Sequence, residues 1–438
     1  MHKIAIIYFT MLNPLAQELN KTLHGTTPGD LLSDLGTRIF FPRGIISQGG
    51  EAKKFGKVAN ATIGTTIIDG KPAILEAIHK YAPTLSAAEL VAYAPTAGNP
   101  DLRALWKDLI YRKNPGLKGK TTSLPVVVPG LTAGISYLSD LFLDENKPLL
   151  AANPSWDNYA LVVETRRNSQ LHTFNLFADG GFDLKSFKAA VEKEAESGSV
   201  RILLNFPQNP SGYSPTNAEA AQIVKIIRDV ADKGVKVLIL DDDAYFGLNY
   251  ENDIYPQSLF AEFADLHENV LAVKIDGPTK EDFVWGFRCG FLTFGGKGLT
   301  ADHYTALEKK LMGLIRSSVS CSSTPSQSLA LRAFADPALD LQKKIFREVL
   351  EKRYKAVRKF ISTHTCSKLE PLPFNSGYFM SFKTKGINAE ELRQKILQEK
   401  QIGTISIDEN TLRVAFSSVE ESLIEQVYSA IYDCAERM

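Results

Sequence analysis

The chain has 438 residues, 44% hydrophobic and 23% charged, proportions that support a large buried core and exclude disorder, collagen and coiled coil. Fifty lysines and arginines balance fifty aspartates and glutamates, so the net positive field expected of a nucleic-acid binder is missing. The four cysteines (Cys289, Cys321, Cys366, Cys434) have no CxxC spacing and the seven histidines no HExxH or HxxxH pairing; neither a disulfide framework nor a metal site is expected, and a reducing cytoplasm fits best.

In chain order, the apolar run Ile4 to Leu12 behind His2 and Lys3 has the polarity of a signal peptide, but no small-residue cleavage site follows, and residues 1–10 are expected to be dispensable. No window approaches the roughly 18 uninterrupted apolar residues of a membrane span. Gly and Pro breaks (GTTPGD, FPRG, SQGG) interrupt the chain before about residue 65. From about residue 72, β-rich runs at 125–129, 148–152, 201–205, 236–240, 271–275 and 289–294 alternate with helical stretches at 132–143, 156–165, 183–196 and 216–232. Alternation of this kind predicts a doubly wound α/β domain around a mostly parallel sheet. After about residue 335 the pattern changes to a long amphipathic stretch at 341–364, strands near 377–383 and 411–416, and helices near 388–399 and 419–434, which reads as a smaller α+β domain. The expected organisation is a segment 1–65 packing with the small domain, a large α/β domain 66–335 and a small α+β domain 336–438.

Open α/β sheets bind ligands outside the carboxyl ends of their strands. Polar or glycine-containing segments follow five of the strand candidates: GLTAG, NPSWDNY, FPQNPSG, DDDAY and DGPTK. The densest chemistry lies in DDDAYFG (241–247) and IDGPTKEDFVWGFRCG (275–290), which offer a carboxylate, a phenol, a lysine and an arginine. A lysine carried into a site by a strand can form an imine with a carbonyl once its pKa is depressed. A carboxylate beside a protonated pyridine nitrogen is what a pyridoxal phosphate site uses to keep its electron sink charged.

These segments resemble, from about residue 60 to 416, the pyridoxal-phosphate-dependent aminotransferases of class I and fold type I, similar to the aspartate and aromatic aminotransferases. The resemblance implies a large domain with a seven-stranded type of mostly parallel sheet plus the smaller α+β domain. It makes Lys280 the catalytic lysine that binds the cofactor covalently and Arg288, eight residues later, the grip on its phosphate. The serine usual before that lysine is replaced in Gly277-Pro278-Thr279-Lys280. The D-x-A-Y motif matches Asp242 to Tyr245, so Asp242 is expected at the pyridine nitrogen and Tyr245 at the phenolic oxygen. Strand alternation turns Asp241 and Asp243 the other way.

By the same resemblance, the NPxNPTG-like Asn205 to Gly212 puts Asn209 at the phenolic oxygen, and Trp156 is the platform stacked on the ring. Leu131, Thr132 and Ala133 open a helix whose free amides receive phosphate. Tyr93, in a Y-x-P-x-x-G segment, is expected to reach the neighbouring subunit's phosphate, which implies a homodimer. Arg413 matches the arginine of the substrate α-carboxylate, Gly64 a glycine lying against substrate, and Arg316 the arginine that takes a second carboxylate across the dimer.

Singly, each feature has a plainer origin: Lys280 or Arg413 a solvated charge, Trp156 a core residue, Asn-Pro-Ser-Gly a turn, Arg316 the partner of a helix dipole. Six segments in family order, each at a strand end, have no such joint origin. The implied activity is transfer of the amino group of an L-amino acid, aspartate or glutamate before aromatic ones, to a 2-oxo acid such as 2-oxoglutarate by a ping-pong mechanism. The alternatives are a lyase of the same fold, for which no dedicated acid is visible, and a non-catalytic regulator, for which no helix-turn-helix pattern is visible.

Overall fold

The computed structural model describes residues 12–26, 30, 32–40 and 44–438. Residues 1–10, expected to be dispensable, lie outside the described residues. Among the described residues no helix is long and apolar enough to cross a membrane.

Seven strands form the central sheet: β1 Val126–Val128, β2 Leu149–Asn153, β3 Leu171–Asn175, β4 Ser199–Asn205, β5 Lys236–Asp242, β6 Val270–Asp276 and β7 Gly290–Gly296. Their spatial order is β1-β7-β6-β5-β4-β2-β3. Strands β4, β5 and β6 pair in parallel, as do β2 and β3, while β7 runs antiparallel to both of its neighbours. The strands are buried almost throughout because both sheet faces are covered: β1, at one edge, and β7 beside it are buried at every position, β5 at all but the first. Among the covering helices are α2 Pro100–Lys113, α3 Leu131–Phe142, α4 Asn217–Ala231 and α5 Ala301–Ser318. Local sequence sets their starts: the Asn99 side chain accepts from two first-turn amides of α2, and Thr216 with Glu219 forms a reciprocal cap on α4.

The smaller sheet, in order β8 Leu369–Pro371, β9 Met380–Thr384, β11 Thr411–Val414, β10 Ile405–Asp408, is antiparallel throughout. Beside it lie α6 Leu339–Thr363, α7 Ala389–Lys400 and α8 Ile424–Glu436. Helix α1, Ile45–Phe55, joins this part because the Gln48 side chain brackets the Ser406 backbone at 2.9 and 3.1 Å, and Ala59–Asn60 pairs in parallel with Ile402–Gly403.

Four elements differ from expectation. The stretch 156–165 is a single α-turn at Asn158–Ala160 continued by a π-helical turn at Leu161–Arg166. Strand β3 had no signal because its edge of the sheet is half-exposed: in Leu171–Asn175 only Phe174 is buried, so no apolar run marks it. The strand expected at 377–383 begins at Met380, after a turn at Gly377 with φ of 70°. The last helix begins at Ile424 rather than 419 because two 3-10 turns precede it.

A buried ionic cluster ties α6 and α2 to the loop after β6. Lys343 contacts Glu281 at 3.0 Å and Asp282 at 2.7 Å, and Lys113 reaches Glu281 at 2.6 Å. Asp282 is 2% exposed and Lys343 17%, so neither charge can be made up by water. Lys343→Met leaves Asp282 buried without its cation and is expected to lower unfolding free energy by on the order of 3 kcal/mol, read as a shift of the urea midpoint.

Candidate active site

The site is built at the carboxyl ends of β4, β5 and β6. Asp241 and Asp242 end β5 and Asp243 follows them, and pleating separates the three. Asp241 turns to one layer, accepting from Ser258 Oγ at 2.8 Å and the Phe260 amide at 2.6 Å, and Asp243 pairs there with buried Lys274. Asp242 turns the other way and lines a cavity of about 470 Å³. Its carboxylate accepts from Tyr159 Oη at 2.6 Å and the Ala244 amide at 3.2 Å. From β4, the Asn205 side chain donates to the Asp242 carbonyl at 2.7 Å and accepts from the Asn209 amide at 2.9 Å, holding the two strand ends together.

After β6 the chain turns through Gly277 into the short helix Pro278–Glu281, which carries Lys280. Its amine lies 4.9 Å from the Tyr245 ring centroid, and Tyr378 Oη donates to its carbonyl at 2.8 Å. Arg413, in the middle of β11, is 2% exposed. It donates to Asn209 Oδ1 at 2.8 Å and the Thr62 carbonyl at 2.9 Å, over the Phe379 ring at 4.3 Å.

Asp242, Tyr245, Lys280, Asn209 and Arg413 therefore share one cavity, with Trp156, Leu131, Thr132 and Gly64 also on its walls. Trp156 meets Tyr159 edge-on at 5.4 Å. A Cβ at Gly64 would stand 2.9 Å from Phe379 Cζ, so glycine is required for the close approach. Gly130, with φ of 92°, precedes α3, and a Cβ there would lie 2.4 Å from Arg288 Nη2. The Arg288 guanidinium thus packs against the loop at the amino end of α3, outside the cavity wall. Ala133 is not on the wall, and the buried Thr279 hydroxyl has no hydrogen-bond partner. Tyr93, 92% exposed, and Arg316, exposed in the last turn of α5, do not reach the cavity of their own chain.

Tyr159, Asn205 and Thr62 had no assigned role in the sequence. The first two stood inside quoted motifs, whereas Thr62 enters only through its backbone carbonyl, which no residue pattern reveals. A second cavity, of about 530 Å³, lies at the opposite ends of β4, β5 and β6. It is mainly apolar, its charged groups are Arg201, Lys236, Glu268, Lys297 and Lys310, and it shares no residue with the first.

Electrostatics follow from burial. Burial lowers the Lys280 amine to about 8, with Arg288 adding to the effect and Asp242 opposing it. Burial raises the Asp242 carboxyl, against the Tyr159 hydrogen bond and Lys280. It also raises the Tyr245 phenol, which stays a donor, and lowers Arg413 to about 10, leaving its guanidinium charged at neutral pH. The site presents a neutralisable amine, a carboxyl short of a cation, a phenol donor and a fixed guanidinium.

The sequence profile of the family described as Aminotransferase class I and II matches residues 63–431. The chain belongs to the class I and II aminotransferases. Among curated relatives, the mitochondrial aspartate aminotransferase of Schizosaccharomyces pombe is 25% identical over 319 residues, covering 70% of this chain and 69% of that protein. A probable aspartate/prephenate aminotransferase of Rickettsia felis is 24% identical over 331 residues, covering 72% and 73%. Two solved structures share the fold of this aminotransferase. One, from Anaerococcus prevotii, has a TM-score of 0.82 at 22% identity, covering 92% of this chain and 99% of that one. The other, the kynurenine aminotransferase of Pyrococcus horikoshii in complex with PMP, has a TM-score of 0.76 at 14% identity, covering 94% and 98%. Enzymes of this family and fold type I depend on pyridoxal phosphate, and the aminotransferase requires it.

Because the neutral amine is the nucleophile, cofactor-free protein should react with a carbonyl probe such as salicylaldehyde at a rate that rises with pH and is half-maximal near about 8. A midpoint near the ordinary lysine value of 10.5 contradicts the role of burial, and Lys280→Arg should remove the reaction at this position.

Proposed function

We propose that this aminotransferase takes the amino group of an L-amino acid, aspartate or glutamate before aromatic ones, and delivers it to a 2-oxo acid such as 2-oxoglutarate in the two half-reactions of a ping-pong cycle. The observation carrying this reading is the meeting of Lys280, Asp242 and Arg413 in one cavity. The residues fit the cofactor: Asp242 is a buried carboxyl that a protonated ring nitrogen would stabilise, and Gly130, Arg288 and the amino end of α3 form a cradle for an anionic phosphate. Pyridoxal phosphate, when bound, supplies an aldehyde for Lys280 and an electron sink for charge at the substrate Cα.

The chain's own residues do the rest. Arg413 fixes the α-carboxylate with two parallel donors, its direction set by Asn209 and the Thr62 carbonyl. With the cofactor bound, Lys280 would take the Cα proton as the general base its lowered pKa allows. Asp242 would hold the proton on the ring nitrogen, kept in direction by Tyr159. Tyr245 and Asn209 would donate to the phenolic oxygen, and Trp156 would cover the ring face. Leu131, Thr132, Ala133 and Arg288 are assigned to the phosphate, and Gly64 to the substrate's flank.

The assembly we propose is a homodimer. Leu90, Val91, Tyr93 and Val319 are large apolar or aromatic residues exposed by 49%, 78%, 92% and 48%, and the bond from Thr324 Oγ1 to the Ala92 carbonyl brings their two segments together. A second copy covering this patch would let Tyr93 reach the neighbouring phosphate and bring Arg316 to the neighbouring cavity. We assign the stretch 45–60 of the amino-terminal segment to packing with the small domain 336–438, residues 66–335 to the cofactor domain, and the protein to the cytoplasm, where its four unbridged cysteines stay reduced.

Lys280→Ala should abolish both the visible absorbance of bound cofactor and conversion of every amino donor in single-turnover half-reactions. Retention of the spectrum would reject the assignment. Asp242→Ala should keep the absorbance and lose about 10²–10³ in kcat, as for removal of a fixed charge partner. Val91→Asp is expected to give monomers by sedimentation and to weaken cofactor retention; a monomeric wild type with full activity would reject the dimer.

A further inference from the structure

Four of the residues lining the catalytic cavity are charged: Lys53, Asp242, Lys280 and Arg413. Once Asp242 faces the ring nitrogen and Lys280 is joined to the cofactor, two cations of the chain's own remain, Arg413 and Lys53. One amino-acid α-carboxylate uses Arg413. Lys53 then has no anion, and among the described residues no ion pair or hydrogen bond engages its ammonium, whereas Glu51 on the same helix is taken by Arg393 at 2.8 Å.

The backbone leaves room for an anion to arrive. Ile45, Gly49 and Lys53 recur every fourth residue of α1 and so share the side of the helix that faces the cavity. A Cβ at Gly50, also on the wall, would meet nothing within 4 Å, and one at Gly49 would meet only Thr62 Oγ1, at 3.7 Å. Thr62 is the residue whose carbonyl receives Arg413 at 2.9 Å. Arg413, Thr62, Gly49 and Lys53 therefore follow one another along one wall, with Lys53 one helical turn beyond Gly49. A helix dipole accounts equally for Lys53 and Lys54, both in the last turn of α1, yet only Lys53 lines the cavity.

We infer that Lys53 is a specificity-determining residue of this aminotransferase, holding the distal carboxylate of a dicarboxylic substrate whose α-carboxylate lies on Arg413. The inference rests on the amino-transfer reading above and deepens it: each chain carries its own cation for the second carboxylate, without Arg316 of a second copy.

The test is titration of the cofactor-loaded enzyme with succinate and with butyrate, followed calorimetrically, so that binding is read without turnover. Lys53→Gln is expected to weaken succinate by about 10- to 100-fold, the worth of one hydrogen bond to a charged group, and to leave butyrate unchanged. Lys53→Arg should restore succinate binding and Lys54→Gln should behave as wild type. In half-reactions the same Lys53→Gln should raise KM for aspartate and glutamate and leave alanine unaffected. Equal losses for both acids, no loss for either, or selective loss of succinate in Arg316→Leu alone would overturn the inference. Selective succinate loss in Lys53→Gln with no donor converted by wild type would instead reject amino transfer and leave Lys53 as a carboxylate site.

Discussion

Side-chain alternation at the buried end of β5 is the constraint on which the site depends. Three consecutive aspartates there could not all ionise on one side, since each would raise the others' pKa and none would have water. Pleating sends Asp242 alone into the cavity and the other two into the opposite layer, where Lys274 is shared by Asp243 and, at 3.6 Å, by Asp276. The register of β5 with β6 sets Asp241 beside Lys274 and Asp242 beside Ile275, so the layer behind the site is polar and paired while the layer facing it carries one carboxyl only.

The same two strands fix where the lysine can be. Strand β6 ends at Asp276, which accepts from Trp106 Nε1 at 3.0 Å, and four residues later the chain reaches Lys280. The Lys280 carbonyl is held by Tyr378, and the next two residues, Glu281 and Asp282, are locked by Lys113 and Lys343. A flexible amine is thus mounted on a segment fastened from both parts of the chain. Burial does the electrostatic work in opposite senses: it lowers the Lys280 amine and raises the Asp242 carboxyl, favouring the neutral form of each.

Much of this was legible in the sequence. Six strand candidates fell within three residues of their observed ends because strands covered on both sheet faces are continuous apolar runs; β3, half-exposed, had no such run. The long helix α6 was marked by its amphipathic period over 341–364. Asp242, Lys280, Asn209, Trp156 and Arg413 were expected in one site from their motif spacings, and all five line one cavity. Lys53 and Tyr159 carried no comparable mark, since a lysine near a helix end and a tyrosine after a turn have many ordinary uses.

By itself the sequence determined the α/β class, the strand-end segments that hold the polar residues, and the face of β5 from which Asp242 projects, because hydrophobic periodicity, turn chemistry and pleating are local properties. Only the tertiary structure decided that Arg413, from β11, stands on Asn209 and Thr62, that α1 lies along the cavity, and that Tyr93 and Arg316 lie outside it. Those relations join positions up to 351 residues apart, and such long-range contacts are set by how layers pack, which no local pattern encodes.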